Sequence, residues 1–359
     1  MTAAGAVVRH SPFGIAPGGE AVRLWTITDD ASGITIAISE WGATIQSVRT
    51  PDRNGRSGEI ALGFPDHASY VAPEYVAARP YFGATIGRFA NRIAGGRFVL
   101  DGIEHTIPAN EGGNALHGGV RGFDRECWAG VEIDGGVRMS RTSPAGEQGF
   151  PGELSVVVEF RLDANTLRIA YEARTDALTV VNLTNHSYWN LDGAGSTTVL
   201  DHVLQVESDT YLPIDEHLLP IGTLEPVQGS PFDLRRPTML RSVLAADHIQ
   251  LSRAGGLDHS FVLRPPAAIG GRAAVVLRSP ATGRSIAITT TEPAAQIYSG
   301  NALDGTLRGH GGRAYGSRSA LAIEPQHFPD SPNRRTFPST ALAPGEVFRS
   351  WTSYRFGLD

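Results

Sequence analysis

Apolar residues at every second position set the fold class of this chain. From Leu154 they fall at Leu154, Val156, Val158, Phe160 and Leu162, with Ser155, Glu159 and Arg161 facing the other way. The turn residues Asp163-Ala164-Asn165 follow, and then Leu167, Ile169 and Tyr171 alternate with Arg168 and Glu172. Successive strand side chains point to opposite faces, so this stretch reads as a β-hairpin with one buried and one wet face. Residues 22–27, 34–38, 43–48, 203–207 and 285–289 show the same pattern. A further hairpin is expected from 274–277 through the turn Pro280-Ala281-Thr282-Gly283. Helical spacing is scarce: Met239, Leu240, Val243 and Leu244, after Pro237, are the one clear candidate. The 42 glycines and 23 prolines are spread along the chain, as many short strands joined by turns require. The expected fold is all-β, one large antiparallel β-sandwich. A closed barrel fits less well because the strand segments vary in length and spacing.

A hydrophobic fraction of 41% with 19% charged residues is enough for a large core over 359 residues. Net charge is −6, which excludes a basic nucleic-acid surface. No stretch approaches the roughly 18 apolar residues needed to span a bilayer, and no signal-like start is visible. The lone Cys127 excludes an intramolecular disulfide and fits a reducing compartment. A soluble cytoplasmic protein is expected, without nucleic-acid or membrane partners, and as a monomer in preference to a homodimer.

Three titratable residues stand out by their surroundings. His117 lies in Asn114-Ala115-Leu116-His117-Gly118-Gly119, on tightly turned backbone that a ligand can approach. His186 ends an apolar strand in Asn182-Leu183-Thr184-Asn185-His186-Ser187-Tyr188-Trp189, where amides and aromatic rings suit a sugar. Glu324 emerges from Leu321-Ala322-Ile323 just before Pro325, so its pKa should be tuned by apolar surroundings. Glutamate and histidine are a natural base and acid near neutral pH. Asn91 and Arg92, Asp258 and Gln296 are candidate partners for hydroxyl groups. Arginines on a strand edge, a turn-capping Asp258 and a buried structural His186 are the bland alternatives. His10, His67, His105, His202, His217, His248 and His310 lack paired ligands and read as structural. No metal-ligand spacing, phosphate loop or Gly-x-Ser-x-Gly elbow occurs. The combination points to proton transfer on a small polar substrate with no cofactor and no metal.

Taken in order, five segments resemble the galactose mutarotase (aldose 1-epimerase) family. They are Gly87-Arg88-Phe89-Ala90-Asn91-Arg92-Ile93, Leu116-His117-Gly118-Gly119, Asn182-Leu183-Thr184-Asn185-His186-Ser187-Tyr188, Leu257-Asp258-His259, and Ile323-Glu324 with Phe328-Pro329-Asp330 after it. The resemblance implies a galactose mutarotase-like supersandwich over residues 20–359 as one domain, with 1–19 outside it as a flexible arm. It implies interconversion of the α and β anomers of free aldohexoses such as galactose and glucose. Glu324 would be the general base at the anomeric hydroxyl, His186 the general acid at the ring oxygen, and His117 its assistant. Asn91, Arg92, Asp258 and Gln296 would hold the sugar. Pro325 and His327 depart from the family pattern beside the base. Rival readings are a hexose-6-phosphate 1-epimerase, with Arg88 and Arg121 as phosphate partners, a glycosidase using Asp258 and Glu324, and a non-catalytic sugar-binding module.

Overall fold

A computed structural model describes residues 6–196, 198–265 and 271–359. Among these, the alternating segments build antiparallel sheets. The largest has nine strands in the order Ala129–Ile133, Gly136–Ser143, Leu154–Asp163, Thr166–Thr175, Phe348–Leu358, Arg284–Thr290, Val275–Arg278, Val203–Val206 and Thr238–Met239. The hairpin read from Leu154 onward pairs from Leu154↔Thr175 to Asp163↔Thr166. Its even-numbered residues are buried, as the alternation requires. A five-stranded sheet comprises Val7–Ile15, Ala21–Asp29, Ile34–Ser39, Thr44–Pro51 and Ser57–Glu59 in sequence order.

A six-stranded sheet runs Tyr188–Trp189, Leu321–Gln326, Ala294–Tyr298, Asp258–Leu263, Ser208–Leu212 and Glu225–Pro226. One apolar core draws on all three sheets, through residues such as Ile36, Val158 and Ile323. Burying one face of each sheet against the others is what makes the sandwich stable.

Two expectations need correction. Residues 7–15, read as part of a flexible arm, form a strand paired from Val7↔Thr28 to Ile15↔Ala21. The edge of Ala21–Asp29 offers main-chain groups that this segment satisfies. The His10 and Trp25 ring centroids lie 4.8 Å apart, and those of Phe13 and His67 5.9 Å apart. The first five residues of the arm lie outside the described ones. The expected helix is present as Leu240–Leu244, but His67–Val71, Pro73–Ala78 and Ile249–Ala254 are helical too. Five or six residues are too few for a 3.6-residue period to register in the sequence.

Candidate active site

Strand register assembles one wall of the site. Gln296 stands opposite Glu324 and Tyr298 opposite Ala322. Asp258 stands opposite Tyr298, and Ser260 opposite Gln296. Register partners share a face and so do residues two apart, so Glu324, Gln296, Tyr298 and Asp258 face one side. Ile323, Ile297 and Phe261 take the other and enter the core. Tyr188 joins the site face opposite Ala322. Its neighbour Trp189, a candidate sugar-stacking ring from sequence, points into the core beside Tyr354 and Phe356.

The second wall comes from loops. The strand Arg92–Ile93 pairs with Ala115–Leu116, which sets Asn91 beside His117. Their backbones are tied, His117 N–H donating to Asn91 O at 3.1 Å. Both residues adopt left-handed backbone, Asn91 at φ 66° and His117 at φ 51°. Gly118, at φ 89°, lets this turn approach so closely that a Cβ there would collide with the carbonyl oxygen of Gly87.

These walls enclose a cleft of about 490 Å3, lined by all seven residues picked from the sequence: Asn91, Arg92, His117, His186, Asp258, Gln296 and Glu324. That volume suits a small molecule. Glu324 Oε1 lies 3.5 Å from His186 Nε2. The two imidazole rings are 5.1 Å apart. Gln296 Nε2 donates to Asp258 Oδ1 at 2.6 Å, while Gln296 Oε1 has no protein partner. Asn91 Oδ1 accepts the Arg92 N–H at 2.8 Å, so the free end of its amide is the NH2 group. Arg92 is less free than expected. Its Nε and Nη2 grip Glu111 at 3.0 and 2.8 Å, and Nη1 stands 3.8 Å from Asp258.

Burial controls the charges. Desolvation pushes Glu324 well above the ordinary glutamate range; Asp258 adds to the rise and Arg92 opposes it. Desolvation lowers His186 to about 3. His117 falls well below the usual histidine value, through burial first and then the neighbouring His186 and Arg92. Asp258 is raised by burial, against the pull of Arg92 and Gln296.

His117, His186 and Glu324 bring their ligating atoms within 4.8 Å of one another, close enough to invite a metal. The tautomer argues otherwise. His117 Nδ1 accepts the Asn91 N–H at 3.1 Å, which leaves the ring proton on Nε2. Ligation would need the other tautomer and the loss of that bond.

Several residues support the site in ways the sequence did not show, and the amide of Asn182, read as suited to a sugar, is spent inside the scaffold. No local rule pairs Glu111 with Arg92, nineteen positions away. Asn182 is fully buried. Its Oδ1 accepts the His327 N–H at 2.9 Å and its Nδ2 donates to Ala90 O at 3.1 Å. It thereby clasps the end of the Glu324 strand to the loop that carries Asn91. Thr184 Oγ1 adds a bond to Pro325 O at 2.7 Å, and the His327 ring turns to Glu292, 2.7 Å away. The two departures beside Glu324 are thus absorbed into the scaffold.

The aldose 1-epimerase family model matches residues 23–355. This chain belongs to the aldose 1-epimerase family. It is 42% identical to galactose mutarotase of Rattus norvegicus over 98% of this chain and 99% of that protein. It is 40% identical to aldose 1-epimerase of Escherichia coli (strain K12), covering 95% and 97% of the two chains. The crystal structure of galactose 1-epimerase from Lactobacillus acidophilus superposes with a TM-score of 0.83 at 27% identity, covering 98% and 99%. No helix of the described residues is long and apolar enough to cross a membrane.

Proposed function

We propose that this aldose 1-epimerase works on free aldohexoses such as galactose and glucose, with Glu324 as general base and His186 as general acid. The observation that carries the reading is the pair itself: a carboxylate and an imidazole 3.5 Å apart, buried in a cleft whose lining also brings in the hydroxyl-binding groups of Asn91, Arg92, Asp258 and Gln296. Opening a cyclic hemiacetal requires one proton removed from O1 and one delivered to the ring oxygen. The free aldehyde turns about C1–C2 and closes from its other face, with the two groups exchanging roles.

Burial raises Glu324 and lowers His186, so a proton held by the pair favours Glu324. Moving it to His186 creates a carboxylate and an imidazolium without changing the net charge of the pair. Sugar hydroxyls donating to the carboxylate favour that state. His117, with its proton on Nε2, assists at the ring oxygen. Asn91 NH2, Gln296 Oε1, Asp258 and Arg92 hold the remaining hydroxyls. Acid and base contribute about 10²–10⁴-fold each, and fixing both against one ring adds to this. No step calls for a cofactor.

The sugar-phosphate reading is less well supported. Arg88 is buried and donates to Ser143 Oγ and to the carbonyls of Ser143, Pro144, Pro151 and Gly152. Arg121 pairs with Glu126 at 2.7 Å, and neither lines the cleft. A glycosidase would leave the two histidines without a task, and a pure binding module would have no use for a buried acid–base pair. We also read residues 20–359 together with the strand Val7–Ile15 as one domain, because that strand pairs into its sheet and one core draws on all three sheets, and the chain as a cytoplasmic monomer. Polarimetry on freshly dissolved α-D-galactose and α-D-glucose tests the substrate class: acceleration over the spontaneous rate is expected. Acceleration with the 6-phosphates alone would overturn it.

A further inference from the structure

A histidine that must hand over a proton is usually aimed by a hydrogen bond on its other nitrogen. His186 has none from any other residue: its Nδ1 is buried away from other donors and acceptors, and its Nε2 faces Glu324. What touches its faces is aromatic. The Tyr188 ring lies 5.0 Å away at 22°, and the Tyr81 ring 5.7 Å away at 25°, both near-parallel to the imidazole. Tyr81 also meets His117 edge-on at 4.7 Å.

Tyr81 is unusual in its own right. Its backbone is left-handed at φ 58°, a region that bulky residues rarely occupy. Its hydroxyl is buried, and its one polar neighbour is the Arg79 side chain, which opposes the rise that burial gives its pKa but makes no well-formed hydrogen bond to it. A left-handed backbone and a buried, poorly bonded hydroxyl are both unfavourable, so the position must gain from something else. The ring is what remains.

We infer that Tyr81 is a positioning residue: with Tyr188 it fixes the plane of the His186 imidazole by aromatic packing and favours its cationic form during turnover. The faces of an aromatic ring carry negative potential, which attracts a cation placed over them. A neutral imidazole keeps the stacking contact but lacks that attraction, so the preference falls on the imidazolium formed when Glu324 is ionised. This rests on the reading of His186 as the general acid.

The test compares Tyr81→Leu, which removes the ring, with Tyr81→Phe, which removes only the hydroxyl. Anomerisation kinetics with galactose give kcat and KM, and NMR follows the titration of the His186 ring. Tyr81→Leu is expected to lower kcat about tenfold with KM little changed, and to move the His186 titration to lower pH. Tyr81→Phe should recover most of the lost rate and the titration. If Tyr81→Leu does not fold, Tyr188→Leu against Tyr188→Phe gives the same comparison. Wild-type kcat and titration in the leucine variant would overturn the inference, as would a phenylalanine variant as slow as leucine. Wild-type turnover by His186→Asn would instead remove the acid assignment, and the ring titration would still report whether Tyr81 governs the imidazole.

Discussion

Glu324 Oε1 and His186 Nε2 stand 3.5 Å apart with both side chains almost wholly buried. Burial shifts the two groups in opposite directions, the carboxyl upward and the imidazole downward to about 3. The order of their titration is therefore reversed from that of the free side chains. The pair gains a second proton only when pH falls far enough to protonate His186, and loses its single proton when pH rises through the raised value of Glu324. Such a pair titrates as a unit with two apparent pKa values. The pH profile of kcat/KM should be a bell whose acid limb lies below 6.5 and whose alkaline limb lies above 4.5. Activity that required a second proton, rising as pH falls below 4, would contradict this.

The same shifts govern stability. Glu324 has a raised folded pKa, so its contribution is fully present below the unfolded value of 4.5 and is lost as pH rises through the folded one. Glu324→Gln removes that loss. Its Tm should exceed wild type at neutral and alkaline pH, with the gap closing below about pH 4.5. Thermal melts across this range check the sign.

Asn182→Ala should destabilise the protein by about 1–3 kcal/mol, because it leaves the buried Ala90 carbonyl and the partly buried His327 N–H without their partner. The clasp between the Glu324 strand and the Asn91 loop is lost with it, so kcat should fall as well. Denaturant unfolding and steady-state kinetics measure the two effects separately.

Gly118→Ala places a Cβ at φ 89° against the carbonyl oxygen of Gly87. A cost above about 1 kcal/mol is expected, together with displacement of His117 and a lower kcat. A variant with wild-type Tm and kcat would show that the turn has slack its geometry does not suggest.

Much of this was legible in the sequence, for identifiable reasons. Two-residue alternation is imposed by burial of one sheet face, so Leu154 to Tyr171 announced its hairpin. Glycine and asparagine around His117 and His186 marked turned backbone near a ligand. Glu111, Asn182 and Tyr81 were not legible because their roles depend on contacts that only folding creates. Asn182 bonds to His327 across 145 positions, and the left-handed backbone of Tyr81 leaves no trace in residue type. Trp189 was misread because adjacent strand residues face opposite ways, and only pairing with Leu321 shows which one faces the core. Strand Val7–Ile15 was missed because its exposed pattern shows no alternation.

The central claim is that Glu324 and His186 act together as base and acid. Polarimetry on fresh α-D-galactose, comparing wild type with Glu324→Gln and His186→Asn after each is shown to be folded, tests it most directly. Each variant is expected to lose about 10²–10⁴-fold in kcat, with the double variant little worse than either, since the pair works as a unit. A rate near wild type in either single variant would contradict the claim.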